Sequence, residues 1–476
     1  MKTAREHFDW IADHDTRARA AQQDFHAQIL AHYRRSIPEG SRVLECGCGA
    51  GALLAGLRPA HGLGLDFSPR MLTHAQTRYG AQPGLTFVEH DVQTALGSAK
   101  FDHIVLDYLI GYLTDIQTTL RHLQTVAHPR TRLHITTLNN LWLFPLRLAE
   151  KFGSVMPQAP SNWLSHHDLF NLLELSGWEV VSFERVQLFP FEWPLLSTLC
   201  NNILVRLPLL RHFGITLSII ARPRRACPVE GEITCSVIVP ARNEAGNIRP
   251  ALERIPVLGH RTEVIFVEGH SHDDTWAAIQ REVATYRGPH LLRALQQPGK
   301  GKWDAVRAGF ATATGTVLVI QDADLTAPPE DLPKFYEALT GGAAEFVNGS
   351  RLVYPMEARA MRFLNLLGNK FFALALTYVL GQPVKDSLCG TKMLLRSDYE
   401  RLLRRIAVLG DFDPFGDFNL LFGAALLQLR IRDLPVRYRD RTYGETNISR
   451  FAHGWLLLRM TWFALWRVKF QLGGGQ

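Results

Sequence analysis

"VLVIQDADLTAPPEDL", Val317 to Leu332, runs an apolar strand straight into two aspartates one residue apart, then into a proline pair and an acidic helix start. Carboxylates placed directly after a buried strand stand at the carboxyl edge of a sheet, where open α/β folds bind their ligands. Mg²⁺ or Mn²⁺ takes one or two carboxylates and fills its shell with phosphate oxygens. A departing diphosphate needs its developing charge neutralised. Asp322 and Asp324 therefore suit a divalent cation that holds a diphosphate. A second strand end, "SRVLECGCGAGALLAGL" from Ser41 to Leu57, carries Gly47, Gly49 and Gly51 in place of carboxylates. Glycines there permit a tight turn and let backbone N–H groups approach a ligand at a helix N-terminus. Two such strand ends predict two active sites.

The chain has 476 residues, a length that fits two domains better than one. An apolar fraction of 46% and a charged fraction of 20% are those of a globular protein. The formal charge of +7 is compatible with anionic ligands or an anionic membrane surface, but too diffuse to argue for nucleic acid. The polar start "MKTAREHFDWIADHD" lacks the apolar run of a signal peptide, and the six cysteines form neither a disulfide framework nor a zinc pattern, so a cytoplasmic protein is expected. The longest apolar stretch, Trp193 to Ile220, is broken by Asn201, Asn202, Arg206, Pro208, Arg211 and His212 and is not expected to span a membrane.

After it, the proline- and arginine-rich "ARPRRACPVEGE" reads as a linker, and a fresh alternating run begins at "ITCSVIVPARNE". The expected organisation is a domain over 1–220, a linker over 221–231 and a domain over 232–476. Strand-like runs at 42–46, 61–66, 85–89, 101–107 and 131–137, and again at 233–240, 262–268, about 291–295 and 316–321, alternate with helical segments. Both halves thus read as α/β, each with a parallel sheet covered by helices.

In the first half, "HGLGLDFS" ends its strand in Asp66 about twenty residues after the glycine loop, where an acid accepts hydrogen bonds from ribose hydroxyls. With "VEHDV" and "FDHIVLDYLIGYLTD", residues 20 to 190 resemble a class I S-adenosylmethionine-dependent methyltransferase, a Rossmann-like fold. The resemblance implies a cofactor site formed by Glu45, Gly47, Gly49, Gly51, Asp66, Asp91 near the adenine, and Asp107 with Tyr108 at the methyl-transfer pocket. Asp107 or Tyr108 facing solvent is the plainer alternative. A dinucleotide-binding domain is the competing reading, but it usually carries GxGxxG, a spacing that "CGCGAGA" does not continue. His103, His134, His166 and His167 read as surface or structural residues, and methyl transfer by displacement needs proximity more than an acid or base.

In the second half, "SVIVPARNEAGNI", "VIFVEGHSHDDT", "GKWDAVRAG", "QDADL" and "NGSR" occur in the order found in family 2 glycosyltransferases of the GT-A fold. With "DSLCGTKML" and "RTYGETNISR", residues 232 to 455 resemble the dolichol-phosphate mannose synthases and related polyprenyl-phosphate glycosyltransferases. The resemblance implies that Pro240, Arg242, Glu244 and Glu268 hold base and ribose of a nucleotide sugar, that Asp322 and Asp324 hold metal and diphosphate, and that Lys302, Arg351 and Lys392 meet phosphates. It places the inverting base in "LGDFDPFGDFNLLFGA", with Asp417 first and Asp413 in reserve; a phosphate acceptor, already anionic, needs little of it. A helix-cap role for Asp417 is the alternative.

Three departures stand out: "VEGHS", where Glu268 replaces an aspartate; "GKWDA", where Trp303 replaces a glycine beside the donor; and Asn447 where relatives often have lysine. The tail "GWLLLRMTWFALWRVKF" is either an interfacial helix or one packed on its own domain. The expected whole is a bifunctional enzyme acting on a nucleotide sugar and an acceptor such as a polyprenyl phosphate, with peripheral membrane contact. The alternatives are a glycosyltransferase for a soluble acceptor, joined to a non-catalytic S-adenosylmethionine- or partner-binding module, and a scaffold with neither activity.

Overall fold

The chain divides into two compact units, Met1–Arg224 and Arg225–Gln476. The computed structural model describes residues 4–14, 18–151, 162, 164–190, 193, 195–224, 232–353, 363–406, 417–439, 441, 443 and 450–470.

The first unit contains β1 (Arg42–Cys46), β2 (His61–Asp66), β3 (Leu85–Glu89), β4 (Phe101–Asp107), β5 (Ala127–Leu138), β6 (Trp178–Val186) and β7 (Thr216–Pro223). They form one sheet in the order β3-β2-β1-β4-β5-β7-β6. The first five strands are parallel, with Leu44 beside Leu63 on one side and Ile104 on the other. Helices cover both faces, so strands such as "VLEC" and "IVL" are buried on both sides. Leu44, Ile104, Leu106, Leu133 and Ile135 pack with Leu169 and Trp178 on one face. Val43, Leu54, Leu72, Phe87 and Val105 pack with Ile29 and Tyr33 on the other. The strand order reverses at β1, between β2 and β4, which sets the glycine loop at the switch point.

β7 departs from the expected pattern, because it runs antiparallel to both β5 and β6. The apolar stretch from Trp193 is not one element: Asn201 turns its side chain onto the backbone of Leu188 and Phe189, and 196–213 folds into short helical turns. The strand begins only at Thr216. Ala221, Arg222 and Pro223, given to the linker in the sequence reading, finish that strand, and the fully buried Arg222 is neutralised by Glu179 at 2.7 Å.

The second unit contains β8 (Thr234–Ala241), β9 (Arg261–Glu268), β10 (Leu291–Gln296), β11 (Val317–Ile320), β12 (Phe346–Ser350), β13 (Lys392–Leu395) and β14 (Ile431–Pro435). Their order is β10-β9-β8-β11-β13-β12-β14. β8 to β11 are parallel, but β13 is antiparallel to β11 and β12, so this sheet too is mixed. The sequence reading did not reach β12, β13 and β14 because "FVNGS", "KMLL" and "IRDLP" are short and either partly polar or without alternation. Trp303 is buried in the core cluster that also holds Ile238, Phe310 and Leu376.

Candidate active sites

In the first unit, β1 delivers its chain to a loop in which Gly47, Gly49 and Gly51 take φ of 72°, 49° and 77°. The N–H groups of Gly47 and Cys48 bond back to the Leu65 carbonyl at 2.7 and 2.9 Å, which ties the loop to β2. A Cβ on Gly51 would strike the Phe87 ring, whereas one on Gly49 would meet nothing within 4 Å. Gly51 thus serves packing and Gly49 borders open space. Asp66 ends β2 and accepts the Gly49 N–H at 2.8 Å and the Ser68 N–H at 2.9 Å. Burial raises its pKa in spite of those bonds. The helix Ala4–His14 reaches the same edge: Asp9 accepts the Ser68 hydroxyl at 2.5 Å, Arg5 meets the Phe67 carbonyl and Glu89, and Phe8 packs edge-on against Phe67 and Tyr112.

Glu45 on β1 sits opposite Val105 of β4, two residues before Asp107. Glu45 is buried with one carboxylate oxygen that has no partner among the described residues. Burial first and the Asp107 charge second push its pKa well up. Asp107 accepts from Thr136 at 2.5 Å and from Tyr33 at 3.3 Å, and burial raises it as well. Tyr108 holds φ 51° and bonds to the Thr216 hydroxyl. Asp91 stands apart from these on an exposed turn, accepting the Gln93 N–H at 3.0 Å. Of the histidines, His134 is buried against His103 at 2.9 Å, its pKa lowered by burial, His166 stacks on Phe183, and His167 is exposed.

In the second unit, Pro240 lies near the end of β8, the loop after it carries the exposed Arg242 and the buried Glu244, and the end of β9 carries Glu268. Asn243 locks these loops together, its N–H on the Ser271 hydroxyl at 3.0 Å and its side chain accepting from the His272 N–H at 2.8 Å. Burial opposes the charge of Glu268, but bonds from the Ser271 N–H and the Gln296 amide outweigh it and the pKa falls below the usual range.

The two aspartates are each met by a cation. Lys302, at the start of the helix Gly301–Thr312, lies 2.5 Å from Asp322. Burial disfavours both charges, yet their mutual attraction holds Asp322 below and Lys302 above its ordinary pKa. Gly390 stands so close to this pair that a Cβ would overlap Asp322 Oδ2 and Lys302 Nζ. Asp324 accepts from Thr326 and from Arg441 Nη2 at 2.7 Å, while Arg441 Nη1 reaches Glu244 at 2.9 Å. Arg441 thereby bridges the candidate metal aspartate and the candidate donor loop.

The remaining cations are engaged within the protein. Arg351 forms a two-point pair with Asp386 at 2.7 and 2.9 Å beneath the Tyr438 ring. Lys392, fully buried, donates to the Cys389 carbonyl at 2.6 Å and to Asp417 at 3.0 Å. Asp417 precedes the helix Phe418–Leu426, but its side chain makes no cap bond and turns to Lys392. Asp413 and Asn447 lie outside the described residues. Sequence reasoning assigned no role to Arg441, Asp386 or Gly390, although each sits in a quoted motif; only the fold shows which partner each takes. Among the described residues no group of three or more His, Cys, Asp and Glu could hold a metal ion, so a cation here would depend on ligand oxygens as well as the two aspartates.

Two Rossmann-like α/β units, each with its polar residues gathered at the carboxyl edge of a seven-stranded sheet, define a two-domain transferase. Residues 236–403 match the model of glycosyl transferase family 2, and residues 14–183 match a methyltransferase domain. The dolichyl-phosphate hexose transferase of Haloferax volcanii is 30% identical over 220 residues, 46% of this chain and 88% of that protein. The chain belongs to glycosyltransferase family 2 and carries a methyltransferase domain ahead of that region. The dolichol-phosphate mannosyltransferase of Pyrococcus furiosus is 38% identical over 237 residues, 47% of this chain and 63% of that protein. An undecaprenyl-phosphate 4-deoxy-4-formamido-L-arabinose transferase of Klebsiella pneumoniae is 32% identical over 45% of this chain and 62% of its own length. The chain thus spans less than two thirds of these two relatives. Among solved structures, the magnesium protoporphyrin IX methyltransferase of Synechocystis with bound S-adenosylhomocysteine aligns with TM-score 0.32 and 18% identity over 45% of this chain and 93% of its own.

Proposed function

We propose that the chain is bifunctional: its first unit transfers a methyl group from S-adenosylmethionine, and its second transfers a sugar, with inversion, from a nucleotide sugar to a polyprenyl phosphate. The observation that carries the second assignment is the convergence of Glu244, Asp322 and Asp324 with Lys302 and Arg441 at one sheet edge, in a chain whose relatives are named polyprenyl-phosphate sugar transferases. Glu268 and the loop from Pro240 to Glu244 would receive base and ribose. Lys302 and Arg441 would meet the diphosphate. The two aspartates fit a bound Mg²⁺ or Mn²⁺, which would neutralise charge on the departing diphosphate. Asp417, held by Lys392, would orient the acceptor or take its proton.

In the first unit, the open space over Gly49 and the partnerless oxygen of Glu45 fit the sugar edge and the ammonium of S-adenosylmethionine. Asp107 and Tyr108 would border the methyl acceptor.

The two helices Phe363–Leu380 and Arg450–Ala464 support peripheral membrane contact. Leu457, Met460 and Ala464 enter the core, while Trp455 and Trp462, 65% and 62% exposed, point outward beside Leu458. Phe371 and Leu374 are exposed on the other helix, and no described helix is long and apolar enough to cross a membrane. The tail is therefore packed on one face and available to an interface on the other.

The test is nucleoside diphosphate release from a panel of GDP- and UDP-sugars with Mg²⁺ or Mn²⁺ and a polyprenyl phosphate, for the native chain and Asp324→Ala. Lipid-stimulated, metal-dependent release lost in the variant is the expected result. Release indifferent to lipid would send the second unit to a soluble acceptor.

A further inference from the structure

The first unit carries an apolar outgrowth that its candidate active site does not use. The segment between β6 and β7 leaves and re-enters the sheet at the carboxyl edge, because Val186 and Leu138 both pair with Thr216. Its short turns raise Trp193, Leu195, Leu209 and Phe213 from the surface, with Leu195 85% and Leu209 82% exposed. Leu195 holds φ 69°, a conformation that a leucine adopts only at a cost in strain. The turn after β5 joins the same face: the Trp142 indole donates to the Phe213 carbonyl at 2.8 Å, Asn139 donates to those of His212 and Gly214, and Leu141 and Phe144 are exposed next in sequence.

The charges described on this face have one sign. Among the described side chains of 139–148 and 193–213 none is acidic, and Arg147, Arg211 and His212 are exposed there, while Glu150 and Glu192 flank the two stretches outside the described side chains. Single leucines and aromatics standing out between arginines are the composition of a surface that enters a head-group layer. An apolar patch of this kind marks an interaction site. Hydrogen bonds also connect it to the candidate methyl-transfer edge: Tyr108 meets Thr216, Thr216 donates to Gln187 at 2.8 Å, Gln187 to Gln28 at 3.2 Å, and Asn201 to Gln28 at 2.8 Å.

We propose that this face docks on an anionic lipid bilayer and holds the carboxyl edge of the first unit at the membrane surface. The docking requires neither transfer activity, so its failure would leave the proposed function standing. The test is flotation of the full chain with phosphatidylcholine vesicles containing 30% phosphatidylglycerol, against phosphatidylcholine alone, as order-of-magnitude working compositions for an anionic surface of about physiological potential. Trp455→Ser/Trp462→Ser serves as the background, which removes the aromatic anchors of the second unit. The background is expected to float with the anionic vesicles, and addition of Phe144→Asp/Leu195→Asp/Leu209→Asp to lower its partitioning by about tenfold or more, each lost apolar contact and added charge acting in the same direction. The added variant should remain monodisperse and bind S-adenosylhomocysteine as the background does. Equal flotation of the two, flotation indifferent to phosphatidylglycerol, or failure of the background to float would overturn the proposal. A triple variant that changes the oligomeric state instead would assign the face to a second copy and overturn it too. The single variants Leu195→Ser and Leu209→Ser, expected to give intermediate losses, guard against misfolding of the triple.

Discussion

Lys392→Met isolates the buried ion pair at the heart of the second unit. Lys392 Nζ lies 3.0 Å from Asp417 Oδ2 and neither side chain is open to bulk water. At an effective dielectric of about 20, Coulomb attraction across that gap is about 5.5 kcal/mol. Removal of one partner from a buried pair costs about 3–5 kcal/mol, because the other charge is left stranded. Lys302 also interacts with Asp417, which offsets part of the loss and sets the expectation at the lower end, about 3 kcal/mol. A unit of this size shifts by about 2–4 °C per kcal/mol, so its transition should fall by about 6–12 °C. Calorimetry of the whole chain reads this, with S-adenosylhomocysteine added to mark the transition of the first unit by raising it. Lys392→Met/Asp417→Leu, which leaves neither charge buried, should recover about half of the loss or more. A shift below about 3 °C in the single variant, or strictly additive effects in the cycle, would refute the pairing as a buried, mutually dependent interaction.

Gly49→Ala and Gly51→Ala should part company. Both cost about 1–2 kcal/mol for their positive φ, but Gly51→Ala adds about 1–3 kcal/mol by striking Phe87, whereas Gly49→Ala should fold and lose S-adenosylhomocysteine binding; calorimetry and titration together distinguish them. Gly390→Ala should lower nucleoside diphosphate release by about tenfold or more, because its Cβ would overlap Asp322 and Lys302 and push that pair apart. Binding of S-adenosylmethionine should strengthen as pH rises above the ordinary carboxyl range. Burial holds protons on Glu45 and Asp107 above that range, a cationic ligand favours their charged forms, and protons must leave on binding. Titrations in buffers of differing ionisation heat should show the release, and Glu45→Gln should diminish it with a loss in affinity of about 1.5–3 kcal/mol, the worth of a hydrogen bond to a charged group.

The sequence made the parallel strands legible because Val264–Val267 and Val317–Ile320 are buried on both faces and read as unbroken apolar runs, and Val43–Cys46 is interrupted only by Glu45. β7 was hidden for the same reason: its eight residues, all buried, merged with the apolar lobe before it, and nothing in a list of side chains says that Asn201 will cap a turn or that Arg222 will find Glu179 inside. The candidate site was legible as residue types at strand ends. Its pairings were not. Lys392 and Arg351 look like cations awaiting phosphate until the fold brings Asp417 and Asp386 to them from 25 and 35 residues away. The C-terminal helix offered two readings because aromatics at helical spacing suit a core and an interface alike; the structure packs Leu457, Met460 and Ala464 into the core and leaves Trp455 and Trp462 exposed.

Arg441 has a consequence for anyone who would cut this protein down. The stretch that matches the family closes at residue 403, and β14 closes the sheet at Pro435. A fragment trimmed at either point would keep Asp322, Asp324 and Glu244 on one edge but lose the guanidinium that joins Asp324 to Glu244. The carboxylates left behind would repel one another with Lys302 as the nearby cation supplied by the helix Gly301–Thr312. A fragment meant to keep that bridge has to extend past residue 441, beyond the last described strand.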